Sequence, residues 1–258
     1  MNTAKFLLAL VTVSVVAHTG LANLIVNGSF ESGNTGFTSD YTYKVPNSPG
    51  LMNAGEYSVI QSLNQVHSIW AGAGSLSAQS GTNYLAANGS TDTNASPWMQ
   101  TITVNPGDIT VSTTNAPVYY RFQAYIASVY PAAPPQLAFE MSLNNSGAWQ
   151  QLTTSVTIPT NSIDIWYLTY RDGYFLSAPT TISFRLRNTV SAEGGNDFAI
   201  DSIYFGLSTN APSYPANAIN SIGPITGGVV PEPGTWAAAA LLAGTAGYIR
   251  WRKRAKLS

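Results

Sequence analysis

Apolar and polar residues alternate over short runs through the middle of this chain. Residues 98–104 alternate and end at Asn105-Pro106-Gly107-Asp108, a turn sequence. Residues 118–126 place Tyr120, Phe122 and Ala124 on one face. Leu137, Phe139, Met141 and Leu143 share another, and Asn144-Asn145-Ser146-Gly147 ends that run. Ile182, Phe184 and Leu186 alternate with Ser183, Arg185 and Arg187, a spacing that leaves both arginines in water. Residues 198–205 are apolar enough to be covered on both faces. A period of two predicts strands. No convincing amphipathic helix and no internal repeat interrupts them. Many short strands with turns between them predict an all-β fold, a sandwich or a barrel.

Both ends break this pattern. Lys5 precedes an apolar stretch, 6–17, broken only by Thr12 and Ser14, and Gly20-Leu21-Ala22 supplies small residues at the −3 and −1 positions. This predicts a secretory signal peptide over 1–22, which removes His18 from any catalytic argument. At the far end, 236–249 is uncharged and spans roughly 21 Å as a helix, against a bilayer core of about 30 Å. Trp236 and Trp251 bracket it, and Arg250, Arg252, Lys253, Arg254 and Lys256 follow. The reading is a short transmembrane helix over 235–249, with its cations on the cytoplasmic side and everything before Pro231 outside. A buried Ala-rich helix is the alternative, but core helices rarely end in so many charges. Residues 207–229, rich in Pro, Gly, Asn and Ser, read as a linker.

Between the ends, residues 23–230 hold five bases against eleven acids, a balance of −6. That balance lacks the basic footprint nucleic acid requires. There is no cysteine, so stability must come from a core, and about 200 residues suffice to build one. His67 is the one histidine left, and Val66-His67-Ser68-Ile69-Trp70 shows no nucleophile elbow. A zinc site needs several His or Cys ligands. A glycosidase needs two facing carboxylates about 5–9.5 Å apart, and no pair of acids stands out. Four Asn-X-Ser matches, at Asn27, Asn88, Asn94 and Asn144, follow from an Asn- and Ser-rich composition.

Val230-Pro231-Glu232-Pro233-Gly234-Thr235-Trp236, the apolar helix and the terminal basic cluster together resemble the PEP-CTERM sorting signal of Gram-negative bacteria. The resemblance covers 229–256, with Pro231, Glu232 and Pro233 as the sorting motif and 230–256 as the sorting unit. It implies recognition in the inner membrane by an exosortase, an integral-membrane cysteine protease, then cutting near the motif and passage to the surface, often with exopolysaccharide.

A second resemblance spans 23–206. Asn23-Leu-Ile-Val-Asn-Gly-Ser-Phe-Glu31 opens this region and Gly195-Asn-Asp-Phe-Ala-Ile-Asp-Ser-Ile203 closes it. Tyr84-Leu-Ala-Ala-Asn-Gly-Ser90 and Trp98-Met-Gln-Thr-Ile102 lie between. The ordered set looks like the galactose-binding-like jelly rolls of carbohydrate-binding modules and of many PEP-CTERM cargo proteins. It implies a jelly-roll β-sandwich over 23–206 whose first and last strands lie close together. That family usually has Asp-Asp before the final Ile, where this chain has Asp201-Ser202.

The same resemblance implies a structural Ca²⁺ between those strands, held by Glu31, Asp201 and carbonyls near 27–29, an oxygen set that suits the ion. Without the ion, Glu31 would cap a turn through backbone N–H groups and Asp201 would be solvated. It also implies sugar binding, for which pyranose rings stack on aromatic faces. The stacking candidates are Tyr41, Tyr43, Tyr57, Trp70, Tyr119, Tyr130, Trp149, Trp166, Tyr167 and Tyr174, and four lead: Tyr41 and Tyr43, two apart, Trp166, just before a polar 170–174 segment read as a loop, and Tyr174 at its end. Trp98, Tyr120 and Phe122 read as core. The expectation is an exported, membrane-tethered, exosortase-processed surface or matrix protein, non-enzymatic, that associates with extracellular polysaccharide. A glycan-acting hydrolase and a ligand-free structural spacer are the alternatives.

Overall fold

The computed structural model describes residues 22–73, 75–105, 108, 118–153, 155–159, 163–175, 178–192 and 194–208. The signal peptide up to 21, the linker from 209, the Pro231-Glu232-Pro233 motif, the 235–249 segment and its basic end lie outside the described residues. Among the described residues no helix is long and apolar enough to cross a membrane.

The chain forms an all-β sandwich of two sheets. In chain order the strands are β1 (Thr42–Tyr43), β2 (Glu56–Ile60), β3 (Tyr84–Ala87), β4 (Met99–Thr103), β5 (Val118–Ser128), β6 (Gln136–Leu143), β7 (Gln150–Gln151), β8 (Val156–Thr157), β9 (Tyr167–Phe175), β10 (Thr181–Asn188) and β11 (Phe198–Ser208). One sheet runs β1-β2-β3-β11-β5-β9, and the other runs β4-β10-β6-β7 with β8 also on β6. A 3-10 turn (Leu63–Gln65) and the short helix α1 (Ser68–Ala73) lie in the long connection from β2 to its antiparallel neighbour β3 (the crossover, because it crosses over the outer face of the sheet).

The strands expected from alternation are β4, β5, β6, β10 and β11, and their inward residues fill the space between the sheets. Trp98, Phe122, Phe139, Phe184 and Phe205 are all buried there. Ring centroids are 4.8 Å apart for Phe122–Phe139 and 4.9 Å for Phe184–Phe205. Full burial of each such ring stabilises by on the order of 1.5–3 kcal/mol. β11 is buried along nearly its whole length and extends to Ser208, just past the expected domain edge at 206.

Two expectations change. Residues 170–174 are strand, not loop: β9 pairs antiparallel with β5 from Tyr167↔Ile126 to Phe175↔Val118. Its alternation is masked in sequence by Gly173. The Tyr120 ring fills the space a side chain would take there, 2.4 Å from where a Cβ would sit. Arg185 and Arg187 are not left in water either. Arg185 pairs with Glu140 at 2.5 Å and lies 4.2 Å over the Trp149 ring, while Arg187 donates to the Thr93 carbonyl.

The opening segment closes beside the last strand. Leu24 N–H donates to Phe205 O at 2.8 Å, and the Asn23 side chain donates to Ile203 O and accepts from Phe205 N–H. A bulge makes this closure. The β11–β5 register slips by one residue between Asp201 and Tyr204, and Ser202 takes a left-handed φ of 49°. The bulge turns Ile203 N–H toward Gly28 O, 2.9 Å away. Gly28 is a glycine because a Cβ there would sit 2.1 Å from Ile203 O. Gly28→Ala is therefore expected to cost about 3 kcal/mol in urea denaturation. Gly72→Ala, in α1 with open space around the new Cβ, is expected to stabilise by about 0.5–1 kcal/mol. Equal midpoints for the two variants would contradict this account of the closure.

Candidate functional site

The six-stranded sheet has an outer face, and the sequence treats its two ends differently. At one end the outward residues are small or apolar, with Ala86 on β3, Ala127 on β5 and Ala199 on β11. The crossover packs on them through Leu63, Val66, Trp70 and Leu76, and Tyr84 and Met52 join this second core. Trp166 stands at its margin. Its Nε1 donates to Ser77 O at 2.8 Å and its ring meets Tyr84 edge-on.

The other end of the face is built from tyrosines. Because Tyr120, Phe122 and Ala124 point into the core, their neighbours Tyr119, Arg121, Gln123 and Tyr125 point outward. Register sets Tyr174, Asp172, Tyr170 and Leu168 of β9 directly opposite them. On the other flank, Tyr204 of β11 lies opposite Gln123. Tyr174 is 60% exposed, and Tyr119, Arg121, Gln123, Tyr170, Asp172 and Tyr204 are half-buried. The Tyr119 and Tyr174 rings are 6.2 Å apart and inclined at 58°. Burial raises the pKa of the Tyr125 and Tyr204 hydroxyls, with Arg121 opposing the rise at Tyr204. Both hydroxyls therefore stay protonated at neutral pH and can donate as well as accept.

At the centre of this face Arg121 and Asp172 form a two-pronged ion pair. Arg121 Nε donates to Oδ1 at 2.7 Å and Nη2 to Oδ2 at 2.5 Å. Each side chain is 20% exposed. The arrangement offers ring faces for stacking around a polar centre, the mixture small-molecule and sugar recognition uses.

The four leading stacking candidates from sequence do not gather in one place. Tyr174 lies on this face and Trp166 at its covered margin. Tyr41 and Tyr43 lie at the opposite, β1 edge of the same sheet, and the side they share is the core side. Tyr41 is 6% exposed. Its Oη accepts from Ser90 N–H, and burial pushes its pKa up to about 12. Its ring presents no free face for a sugar. Tyr43 packs 5.4 Å from Tyr57. Tyr125, Tyr170 and Tyr204 were missed, although the outward phase of 118–126 already marked Tyr125.

Glu31 and Asp201 grip one loop from its two ends. Asp201 Oδ2 accepts from Gln79 and Ser80 N–H, and its Oδ1 accepts from Ser202 N–H. Glu31 Oε1 accepts from Thr82 and Asn83 N–H, and Oε2 accepts from Thr82 Oγ1. Glu31 thus caps a turn of this loop through two backbone N–H groups. Asp201 is fully buried instead of solvated. The carbonyls of Asn27 and Gly28 accept from Phe30 and Ile203 N–H. Among the described residues no group of three or more His, Cys, Asp or Glu gathers to hold a metal.

A second buried acid, Asp197, accepts from Trp70 Nε1 at 2.8 Å and from Gly89 N–H. His67 stacks on Trp70 with centroids 4.3 Å apart. Burial lowers its pKa, and its Nδ1 has no hydrogen-bond partner. His67 is part of the crossover's packing.

No family model matches the chain, and no curated protein matches it. Among solved structures, the CBM22-1 xylan-binding domain of Paenibacillus barcinonensis Xyn10C is 13% identical, covering 70% of this chain and 91% of its own, with a TM-score of 0.43. The CBM22-1–CBM22-2 tandem domain of the same protein is 17% identical over 78% of this chain and 50% of its own, at 0.44. A family 16 carbohydrate-binding module is 15% identical over 71% and 99%, at 0.36. Overlaps this partial do not carry over a ligand or a binding residue.

The two buried acids give stability a pH dependence. Burial pushes Asp201 up to about 7 against the opposing N–H donors, and Asp197 up to about 6. Both lie above the unfolded value of about 3.9, so the folded state binds these protons more tightly. Their contribution is complete below about pH 4 and is lost as pH rises through 6 to 7. Urea denaturation is expected to show stability falling from pH 4.5 to 7.5, with a shallower fall in Asp201→Asn. A slope that the substitution leaves unchanged would assign the dependence elsewhere.

Proposed function

We propose that this chain is an exported, non-enzymatic surface protein whose sandwich binds polysaccharide on the open tyrosine face. One observation carries the binding: Tyr119, Tyr170, Tyr174 and Tyr204 stand on one accessible sheet surface around the Arg121–Asp172 pair. Rings stack on the apolar faces of sugars, and the central polar groups and tyrosine hydroxyls meet their hydroxyls. Tyr119→Ala with Tyr174→Ala is expected to weaken retention on immobilised polysaccharide about tenfold in affinity electrophoresis. Trp149→Ala, on the opposite sheet's outer face, is expected to leave it unchanged. Equal retention of both variants would remove this face as the site.

Export and tethering belong to the same proposal and are supported by the sequence: the 1–22 leader, the Pro231-Glu232-Pro233 motif, the 235–249 segment and the five cations after it. An exosortase-type protease of the inner membrane would be the processing partner, releasing the protein to the cell surface or matrix. Replacing Pro231-Glu232-Pro233 with Ala is expected to trap the full-length chain in the membrane fraction. Release of the variant at the normal rate would refute processing at that motif.

A Ca²⁺ ion at Glu31 and Asp201 is proposed in restricted form. Each carboxylate has about four lone-pair sites; Glu31 already takes three donors and Asp201 four, the fourth from Ser202 Oγ at 3.5 Å, so the ion would have to displace that hydroxyl and share the rest with loop 79–83. Bound Ca²⁺ favours the ionised Asp201. Millimolar Ca²⁺ is therefore expected to raise the melting temperature at pH 7.5 and flatten the pH dependence, and EDTA to reverse both. A midpoint indifferent to Ca²⁺ and EDTA excludes the ion.

A further inference from the structure

The tyrosine face carries charge in one place. On the stretch of β5, β9 and β11 beyond the crossover, the outward charged residues are Arg121 and Asp172, and they neutralise each other. Asp201, the next acid along β11, is buried under Gln79 and Ser80. We propose that Asp172 is the specificity-determining residue of this face, making it selective for uncharged polysaccharides by occupying the guanidinium that a sugar carboxylate would otherwise take. This rests on the reading of the face as a glycan platform.

The geometry is that of a competing ligand held in cis. Arg121 meets both Asp172 oxygens through Nε and Nη2, the same planar fork by which arginine captures a uronate carboxylate. At 20% exposure for each side chain the pair is screened less than a surface pair. An incoming carboxylate that took the same Nε–Nη2 fork would displace Asp172 and leave its charge half-buried and uncompensated, and one that approached elsewhere on the guanidinium would meet a cation Asp172 already offsets and the Asp172 charge beside it. The acid excess of residues 23–230 adds repulsion toward a polyanion. A neutral sugar meets neither obstacle. Its hydroxyls can donate to the lone pairs Asp172 keeps, while its rings lie on Tyr119, Tyr170 and Tyr174.

The test compares the full chain with Asp172→Asn and with the double variant Arg121→Gln/Asp172→Asn. The probes are a neutral β-glucan and polygalacturonate, each at low and high salt. The wild type is expected to retain the β-glucan over polygalacturonate. D172N is expected to raise the polygalacturonate-to-glucan affinity ratio about tenfold or more at low salt, and high salt should abolish the gain. The double variant, lacking the cation, is expected to lose it. Wild-type protein that binds both polymers equally would overturn the selectivity while leaving the platform in place. So would a D172N variant of native circular dichroism with no gain. Retention of neither polymer by wild type or D172N would overturn the platform reading together with this inference.

Discussion

The one-residue bulge at Asp201-Ser202-Ile203 is the constraint on which the two layers of this protein depend. On the core side it turns Ile203 so that its backbone meets Gly28 and Asn23, and the opening segment is sealed against the last strand. On the outer side it leaves the Asp201 carboxylate buried and aimed at residues 79 and 80, where it holds the end of the crossover. Bulges bend a strand and re-aim its side chains, and here one bend serves both surfaces of one strand. The left-handed φ at Ser202 and the absent Cβ at Gly28 are the local conditions for it.

The crossover then decides how the outer face is used. It packs over Ala86, Ala127 and Ala199, with the Tyr84 ring beneath it and the Tyr84 hydroxyl donating to Leu76 O. Its last hold on the sheet is at Asp201, which lies opposite the buried Tyr125 and accepts from Gln79 and Ser80 N–H. The open part of the sheet thus begins beyond the Asp201–Tyr125 pair of β11 and β5. Trp166, anchored to Ser77, marks the border.

Much of the sandwich was legible because its long strands alternate cleanly. Residues 118–126 and 181–187 carry their inward faces in plain view, and Trp98, Tyr120 and Phe122 are core as read. β9 was not legible as a strand, because its second half reads as a loop. Arg171 and Asp172 look like loop residues, and Gly173 supplies no side chain to count; its inward space is filled by Tyr120 from the neighbouring strand. The stacking candidates divide for a related reason. Spacing places Tyr41 and Tyr43 on one side of the chain, but spacing alone does not say which side faces the core. The face itself is assembled from β5, β9 and β11, which register brings together and chain order does not. Asp201 looked solvated because an acid beside a serine usually is, and the loop that buries it lies some 120 residues earlier in sequence.

The open face also has a consequence for how strongly one copy can hold anything. Its floor is three hydrogen-bonded strands, so little disorder has to be removed when a chain settles on it. A shallow surface of this kind encloses little of its occupant, and its grip per molecule stays modest. Many such platforms fixed along one surface would instead engage a long repetitive polymer at successive points, each attachment raising the local concentration of the next. Strength would then reside in the number of copies, and release of a single one would be fast.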